Sequence, residues 1–264
     1  MHLHVQNLSV RYPRRHGWQW WRGRARDTGV HAVRNVTFRV DGARIVSIVG
    51  ESGSGKTSIG RALLKLAPVA SGKILCDGTD TALLTTRQFH PWRKHMQMVF
   101  QDSGLSLNPR HTTGTILSEP LEIHFPALTS GERRERVRTL LRKVGLAPEL
   151  SARYPHELSG GQRQRVNIAR ALAVEPGLII CDEPVAALDM AAQAQVVSLL
   201  RRLQDETGFS CLFISHDLAL VEQLSHHVLV MHNGEIVDSG PPRTLFTHPR
   251  HARTRALIDA VPHL

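Results

Sequence analysis

The chain has 264 residues, 41% of them hydrophobic, and its formal net charge is +10. This length suits one large domain, or a domain with a subdomain, around a substantial core. No apolar run reaches the roughly 18–20 residues of a membrane span, and Met1–Val5 lacks the core of a signal peptide, so we expect neither feature.

The excess of basic residues could serve nucleic acid, an anionic membrane surface or a nucleotide. No nucleic-acid-binding motif accompanies the charge, so we expect no nucleic-acid partner. The 16 histidines have no cysteine or carboxylate at metal-ligand spacing and are interpreted as surface residues. The three cysteines also lack such spacing, which predicts buried and reduced thiols.

Residues 3–12 alternate weakly between apolar and polar types and predict a first strand that ends at Tyr12. An aromatic ring there could stack on an adenine or could cover the core, and the residue by itself does not decide between them. Residues 13–29 form an insert rich in arginine and tryptophan. It could contact a membrane interface, where both types are favoured, or form a solvated loop whose tryptophans pack on the domain. We favour the loop.

A glycine-rich stretch follows the apolar, β-branched run at 45–49, which predicts a buried strand. It fits the phosphate-loop pattern G-x-x-x-x-G-K-[ST], and its residues are Gly50, Glu51, Ser52, Gly53, Ser54, Gly55, Lys56 and Thr57. A helix is predicted at 57–67, stopped by Pro68. The glycines would let backbone N–H groups converge on phosphate oxygens at the helix N-terminus. Lys56 would reach the β- and γ-phosphates, and Thr57 would bind Mg²⁺.

The following region changes character after a strand predicted at 96–100. Prolines and short helical patterns predict a helical insert that extends to about residue 155. Within it, Thr129 and Glu132 form a capping box that opens an amphipathic helix with an arginine-rich outer face. Further on, 228–237 predicts a hairpin around Asn233-Gly234.

Two continuous apolar runs, 178–181 and 211–214, predict strands that are buried on both faces of a parallel sheet. Asp182 and Glu183 close the first run and His216 follows the second. Ligands of such sheets bind at the carboxyl edge. Asp182 would bind Mg²⁺, Glu183 would polarise the attacking water, and His216 would hydrogen-bond the γ-phosphate.

Two other groups extend this candidate site. Gln101 ends the strand at 96–100 and could sense Mg²⁺ or the water. Ser159, Gly160 and Gly161 precede a predicted helix at 163–174 and form a second candidate anion site. Because the chain already has a phosphate loop, this second site makes sense if it serves a partner's nucleotide. The pattern thus predicts a head-to-tail dimer with two ATP molecules between the subunits.

In this order and spacing the motifs resemble those of an ABC transporter ATP-binding subunit, over nearly the whole chain. The features that carry the resemblance are the phosphate loop, Gln101, Leu158–Gln162, Asp182-Glu183, Leu188-Asp189 and His216. The resemblance implies an α/β P-loop NTPase core with a parallel sheet, an antiparallel β subdomain and an inserted α-helical subdomain. We assign the ATPase core with its β subdomain to residues 1–87 and 163–264, and the helical subdomain to residues 88–162.

The resemblance also implies roles for individual residues. Tyr12 would be the aromatic that stacks on adenine, and Ser159 to Gln162 would contact nucleotide. Asp189 would communicate between the two sites of the dimer. Gln101 and the helical subdomain would transmit force to membrane subunits.

A narrower resemblance is to the peptide/nickel importer branch of this family. It is carried by Phe100–Asp102 with Ser106–Arg110, by Ala194–Val197, and by His248-Pro249 with Thr254–Leu257. Two features depart from that branch. Ala186 stands where the branch usually has serine, which removes a hydroxyl near the dimer interface. The sequence also lacks the cysteine-bearing extension of many peptide importers, which favours the shorter nickel or metallophore type.

The resemblance therefore implies an ATPase that uses ATP and Mg²⁺ to energise an importer for peptides, nickel or metal chelates. Its partners would be a second, non-identical ATP-binding subunit, two transmembrane permease subunits and an extracytoplasmic solute-binding protein. It would lie peripherally on the cytoplasmic face of the inner membrane. The alternative is an ATPase of a soluble enzyme assembly such as the carbon–phosphorus lyase system, but the stretch from Gln101 to Pro109 fits the transporter branch better.

Overall fold

The structure, a computed structural model, describes residues 1–13, 29–101 and 103–260. Nearly all of the arginine- and tryptophan-rich insert at 13–29 falls outside the described residues, and so does our interpretation of it. No helix in the described part of the chain combines the length and the apolar character needed to cross a membrane.

The described residues form strands that are numbered here in chain order. They are β1 (Leu3–Tyr12), β2 (Val30–Val40), β3 (Ile45–Val49), β4 (Val69–Cys76), β5 (Thr79–Asp80), β6 (Met96–Val99), β7 (Leu178–Asp182), β8 (Ser210–Ile214), β9 (His227–His232) and β10 (Glu235–Gly240).

The α-helices lie mostly between and after these strands. They are α1 (Lys56–Leu63), α2 (Thr86–Phe89), α3 (Trp92–His95), α4 (Ser103–Ser106), α5 (Thr113–His124), α6 (Ser130–Lys143), α7 (Gly160–Leu172), α8 (Met190–Thr207), α9 (Leu218–Leu224), α10 (Pro242–Thr247) and α11 (Ala252–Asp259). Two short 3₁₀ helices at Pro148–Ala152 and Pro155–Glu157 precede α7.

Two sheets form the β framework, as the sequence predicts. One is antiparallel, with strand order β2-β1-β4-β5. The other has six strands in the order β10-β9-β3-β8-β7-β6, and all of its pairs are parallel except the β9–β10 hairpin. The predicted α/β architecture with a parallel sheet and an antiparallel β part is confirmed.

The apolar runs of the parallel strands are explained by burial on both faces of the sheet. In β7, Ile179 and Cys181 belong to one core cluster, together with helices α5 to α8. Leu178 and Ile180 belong to the other cluster, with the antiparallel sheet and α1. Alternate residues thus face two different cores, which explains why all four positions from Leu178 to Cys181 are apolar.

The helices α5, α6 and α7 pack together through buried residues such as Leu117, Leu141 and Val166. The predicted capping box at the start of α6 is present, with the Thr129 N–H donating to Glu132 Oε2 at 2.8 Å and the Glu132 N–H donating to Thr129 Oγ1 at 3.3 Å. The range 88–162 also contains β6, which pairs with β7 in the six-stranded sheet. That part of the range belongs to the sheet, and the rest of the subdomain division stays a prediction.

Helix α1 ends earlier than the predicted residue 67. Lys65 has a φ of 56°, in the left-handed region, and this conformation stops the helix after Leu63. The N–H groups of Lys65 and Leu66 bond to the carbonyls of Ala62 and Arg61 at 3.1 and 2.8 Å. These bonds satisfy carbonyls at the helix end, so termination does not require Pro68.

Candidate active site

The predicted catalytic and metal-binding residues lie at one edge of the six-stranded sheet. Because β3, β6, β7 and β8 run parallel, their carboxyl ends meet there. The phosphate loop follows β3 and Asp182 ends β7. Gln101 and His216 each lie two residues beyond the ends of β6 and β8. Four segments that are distant in sequence thus become neighbours.

The phosphate loop is held tightly against its surroundings at two glycines. A Cβ on Gly50, whose φ is 150°, would lie 2.2 Å from the carbonyl oxygen of Met231. A Cβ on Gly55, whose φ is 107°, would lie 2.2 Å from the carbonyl oxygen of Ala32. Only glycine fits these positions. Glu51, Ser52 and Gly53 are exposed, and the first turn of α1 has no side-chain cap, so its N–H groups can receive an anion.

Lys56 lies folded across the loop with only 5% of its surface exposed. Its Nζ donates to the carbonyl oxygens of Gly50 and Glu51, each at 2.8 Å. An ammonium group has three protons, so one remains for a ligand oxygen. Burial lowers the pKa of Lys56, while the nearby carboxylates of Glu183 and Asp182 act in the opposite direction.

Thr57 in the first turn of α1 is paired with Asp182 at the end of β7. The Thr57 hydroxyl donates to Asp182 Oδ1 at 2.8 Å. Burial raises the pKa of Asp182, against the effects of this hydrogen bond and of the positive charges on Arg61 and Lys56. A hydroxyl and a carboxylate oxygen are hard ligands of the kind Mg²⁺ prefers, so these two residues fit the predicted metal.

The carboxylate of Glu183 lies close to both Gln101 and His216. The residue's φ of 45° is left-handed, and its N–H donates to the carbonyl of Ile214 at 2.9 Å. Its Oε2 accepts from Gln101 Nε2 at 3.2 Å and lies 3.4 Å from His216 Nδ1. The side chain of His216 is 61% exposed and that of Glu183 is 18% exposed. The carboxylate is thus fixed between an amide and an imidazole and still reaches solvent.

Among the described residues, Gln101 makes no hydrogen bond to Thr57 or Asp182. Its side-chain amide donates to Glu183 instead, so its predicted role as a metal ligand stays a prediction. Tyr12 lies beside the start of α1, where its hydroxyl donates to Ser58 Oγ at 3.4 Å. This places the ring next to the phosphate loop, and its stacking on adenine also stays a prediction.

The second predicted anion site is a separate group in the same chain. Ser159 caps α7, and Gln162 completes a capping box with bonds of 2.9 and 3.2 Å. Asp189 caps α8 by accepting from the Ala192 N–H at 2.8 Å. A cavity of about 520 Å³ is lined by both caps and by Gly160 and Gly161. None of the described residues that line it belongs to the phosphate loop.

Sequence patterns missed residues that complete both groups. Arg165 lines the cavity of the second group and donates to Gln195 Oε1 at 2.7 Å. In the first group, Ala32, Met231 and Gly234 surround the phosphate loop through their backbones. Backbone contacts of this kind carry no motif, and only the left-handed glycine of the turn was visible in the sequence.

Comparison with known proteins gives the same picture over nearly the whole chain. Residues 33–186 match a family described as ABC transporter. The chain is 49% identical over 260 residues to the probable peptide ABC transporter ATP-binding protein y4tS of Sinorhizobium fredii, covering 98% of this chain and 72% of that protein. It is 45% identical over 261 residues to the oligopeptide transport ATP-binding protein OppF of Escherichia coli, covering 98% of this chain and 77% of that protein.

Two further similarities concern a longer relative and a solved structure. The chain is 48% identical over 261 residues to the glutathione import ATP-binding protein GsiA of Salmonella typhimurium, and it spans 41% of that protein's length. A dimeric, post-hydrolysis structure of the ATP-binding cassette MJ0796 bound to ADP and Pi superposes with a TM-score of 0.78 at 27% identity. The superposition covers 91% of this chain and 99% of that one.

Asn in place of Asp182 tests the electrostatics of the metal-free site. The pKa of Asp182 is raised in the folded protein, so folding favours the neutral carboxyl. This stabilisation of the folded state is fully present below the ordinary aspartate pKa of about 4, and it is lost as the pH rises through the raised value. Asn keeps an acceptor for Thr57 but carries no charge. In metal- and nucleotide-free buffer at pH 7, D182N should be more stable by about 1 kcal/mol, which is about 2–4 °C in Tm.

The measurement is a comparison of melting curves of D182N and wild type between pH 4 and pH 8. The gap in Tm should narrow as the pH falls, because the wild-type carboxyl then becomes neutral as well. A D182N protein that is less stable than wild type at pH 7, or a gap that does not change with pH, would contradict this account.

Proposed function

The chain belongs to the ABC transporter family, and we propose that it is the ATP-hydrolysing subunit of an importer for peptides. The observation that carries this proposal is the convergence of the phosphate loop, the Thr57–Asp182 pair and the Glu183 carboxylate on one sheet edge. This arrangement provides an anion cradle, hard oxygen ligands and a positioned base within one site.

The phosphate loop would hold the β- and γ-phosphates of ATP. Its backbone N–H groups and the N-terminus of α1 supply donors, and Lys56 has one proton left after its two bonds to loop carbonyls. Thr57 and Asp182 would hold Mg²⁺, which neutralises charge that develops on the phosphate oxygens. Burial shifts the pKa of Lys56 and of Asp182 towards the neutral form, and a nucleotide with Mg²⁺ would supply opposite charge at each group.

Glu183 would act as the general base that polarises the attacking water. Gln101 donates to Oε2 of this carboxylate, which orients it and leaves Oε1 for the water. The imidazole of His216 lies close to the same oxygen. Because the side chain of His216 is largely exposed, it is free to reach the γ-phosphate when nucleotide binds. Tyr12, next to α1, would stack on the adenine ring.

The group at Ser159 to Gln162 would complete the nucleotide site of a partner subunit. It lies in its own cavity, apart from the phosphate loop of the same chain, together with Asp189. A head-to-tail pair of subunits would bring each such group onto the other's γ-phosphate, and Asp189 would connect the two sites. The similarity to a dimeric cassette supports this arrangement, and the second subunit is proposed to be a non-identical ATPase.

The solute class proposed is peptides. The similar proteins carry names that refer to peptide, oligopeptide and glutathione transport, and glutathione is itself a short peptide. These names favour a peptide importer over nickel or metal-chelate transport. They also favour a transporter over a soluble enzyme assembly of the carbon–phosphorus lyase type. Two permease subunits and an extracytoplasmic solute-binding protein would complete the importer, with this chain on the cytoplasmic face of the inner membrane.

Glu183→Gln tests the catalytic assignment. The amide keeps the side-chain shape but cannot accept a proton from water, so ATP turnover should fall about 100-fold or more while ATP binding is retained. The matched control is Glu175→Gln, because Glu175 is also a left-handed glutamate, with a φ of 53°, but it is exposed and away from the site. Turnover and nucleotide affinity are measured on both variants. Turnover in E183Q equal to that in E175Q would remove Glu183 as the base.

Affinity purification tests the partners. Tagged E183Q protein is recovered from gently solubilised native membranes with Mg²⁺–ATP present, and the co-purifying proteins are identified by mass spectrometry. We expect two polytopic membrane proteins and a second ATPase. The solute-binding protein that belongs to them is then titrated with di- to pentapeptides and with nickel chelates. Recovery of soluble enzymes without membrane proteins would instead favour the enzyme-assembly alternative.

A further inference from the structure

The turn between β9 and β10 contacts the phosphate loop, although it lies about 180 residues further along the chain. It is a two-residue turn in which both residues are left-handed, with φ values of 48° for Asn233 and 85° for Gly234. Gly234 is buried and Asn233 is exposed. The turn therefore presents its second residue to the interior, where the loop lies.

Two backbone hydrogen bonds make Gly234 a bridge. Its N–H donates to the carbonyl oxygen of Ser54, in the middle of the phosphate loop, at 3.0 Å. Its carbonyl oxygen accepts from the N–H of Arg34 in β2 at 2.8 Å. The turn thus connects the loop to a strand of the other sheet.

The space around this bridge is filled. A Cβ placed on Gly234 would lie 3.0 Å from the carbonyl oxygen of Ala32, the same oxygen that would clash with a Cβ on Gly55. Two glycines on different segments therefore pack against one backbone carbonyl. A side chain at Gly234 would push the turn away from β2 and loosen its bond to Ser54.

The bond to Ser54 determines where the next N–H points. The Ser54 carbonyl and the Gly55 N–H belong to one planar trans peptide unit, so they point in opposite directions. Because Gly234 holds the carbonyl on the turn side, the Gly55 N–H is aimed to the other side. Gly55 N–H has no hydrogen-bond acceptor among the described residues. It is available as one of the donors of the anion cradle.

We propose that Gly234 is a positioning residue for nucleotide binding, which orients the Ser54–Gly55 peptide so that the Gly55 N–H faces the phosphates. The proposal rests on the proposed function, since it assumes that the loop binds the phosphates of ATP. Gly234 touches no reacting atom. Its effect is on an interaction made equally with bound substrate and in the transition state, so it acts on KM rather than on kcat.

The chain contains a matched control for this proposal. The turn between β4 and β5 has nearly the same backbone, with φ values of 44° for Asp77 and 84° for Gly78. A Cβ on Gly78 would meet no atom within 4 Å. Gly234→Ala and Gly78→Ala thus introduce the same left-handed alanine, but only the first one disturbs the bridge to the phosphate loop.

The experiment measures Kd for ATP and for ADP, steady-state ATPase kinetics and Tm for the wild type and both variants. G234A should bind both nucleotides about tenfold more weakly, the scale of one charge-assisted hydrogen bond, and its KM should rise with little change in kcat. G78A should lose stability but keep wild-type affinity. Equal affinities of G234A and G78A would overturn the proposal. A wild-type protein that binds neither nucleotide would instead overturn the proposed function.

If G234A does not fold, a milder pair of variants tests the same proposal. Asn233→Ala and Asp77→Ala both place alanine at a left-handed first turn position, and D77A also loses the bond from the His2 N–H at 2.7 Å. N233A should bind ATP about threefold more weakly, because the turn is less well fixed, whereas D77A should bind as the wild type does. Unchanged affinity in N233A would count against the role of this turn.

Discussion

The hydrogen bond from Thr57 to Asp182 is the contact on which the candidate site depends. It joins residues 125 positions apart and connects the first turn of α1 to the end of β7. The strand β3, which leads into the phosphate loop and α1, is separated from β7 in the sheet by β8. The geometry of the hydrogen bond requires all three strands to be parallel and in register, and that in turn requires strands that can be buried on both faces. The apolar runs of β3, β7 and β8 meet this requirement, since each residue in them is buried.

The main electrostatic feature of the candidate site is the burial of two charged side chains. Lys56 and Asp182 are nearly inaccessible, and burial shifts both pKa values towards the neutral form. Burying these two charges is unfavourable in the protein without a ligand. The hydrogen bonds of Lys56 to the loop carbonyls and of Asp182 to Thr57 offset this cost only in part. A nucleotide with a bound Mg²⁺, as proposed, would supply complementary charge at both groups. In the proposed function, the unfavourable burial of these charges would therefore favour a phosphate ligand that carries a cation.

Two separate groups of candidate site residues lie in one chain. The phosphate loop and Glu183 lie at the carboxyl edge of the sheet, whereas Ser159 and Asp189 share a different cavity. Each group is formed by capped helix ends or strand ends, which are local structures with fixed geometry. In the proposed head-to-tail dimer, a second subunit would complete each site, and association and nucleotide binding would then be coupled.

The sequence by itself determined the local chemistry and the fold class. The phosphate loop, the capping box at Thr129 and the Asn233-Gly234 turn each depend on a few adjacent residues, and their patterns are readable without any tertiary contact. The continuous apolar strands likewise predicted a parallel sheet, because burial on two faces leaves a signature in every residue. Because parallel strands end at the same edge of a sheet, the residues that follow these strands also predicted the position of most of the candidate site.

Only the tertiary structure decided which side chains meet. Gln101 contacts Glu183 and not the Thr57–Asp182 pair, Asp189 joins the cavity of Ser159, and Gly234 supports the phosphate loop. These contacts depend on strand order, on the angle at which loops leave the sheet and on backbone groups that every residue possesses. Such groups leave no pattern in a sequence, since their partners are chosen by the packing of distant elements. The sequence therefore specified the parts of the site, and the fold determined how they are arranged.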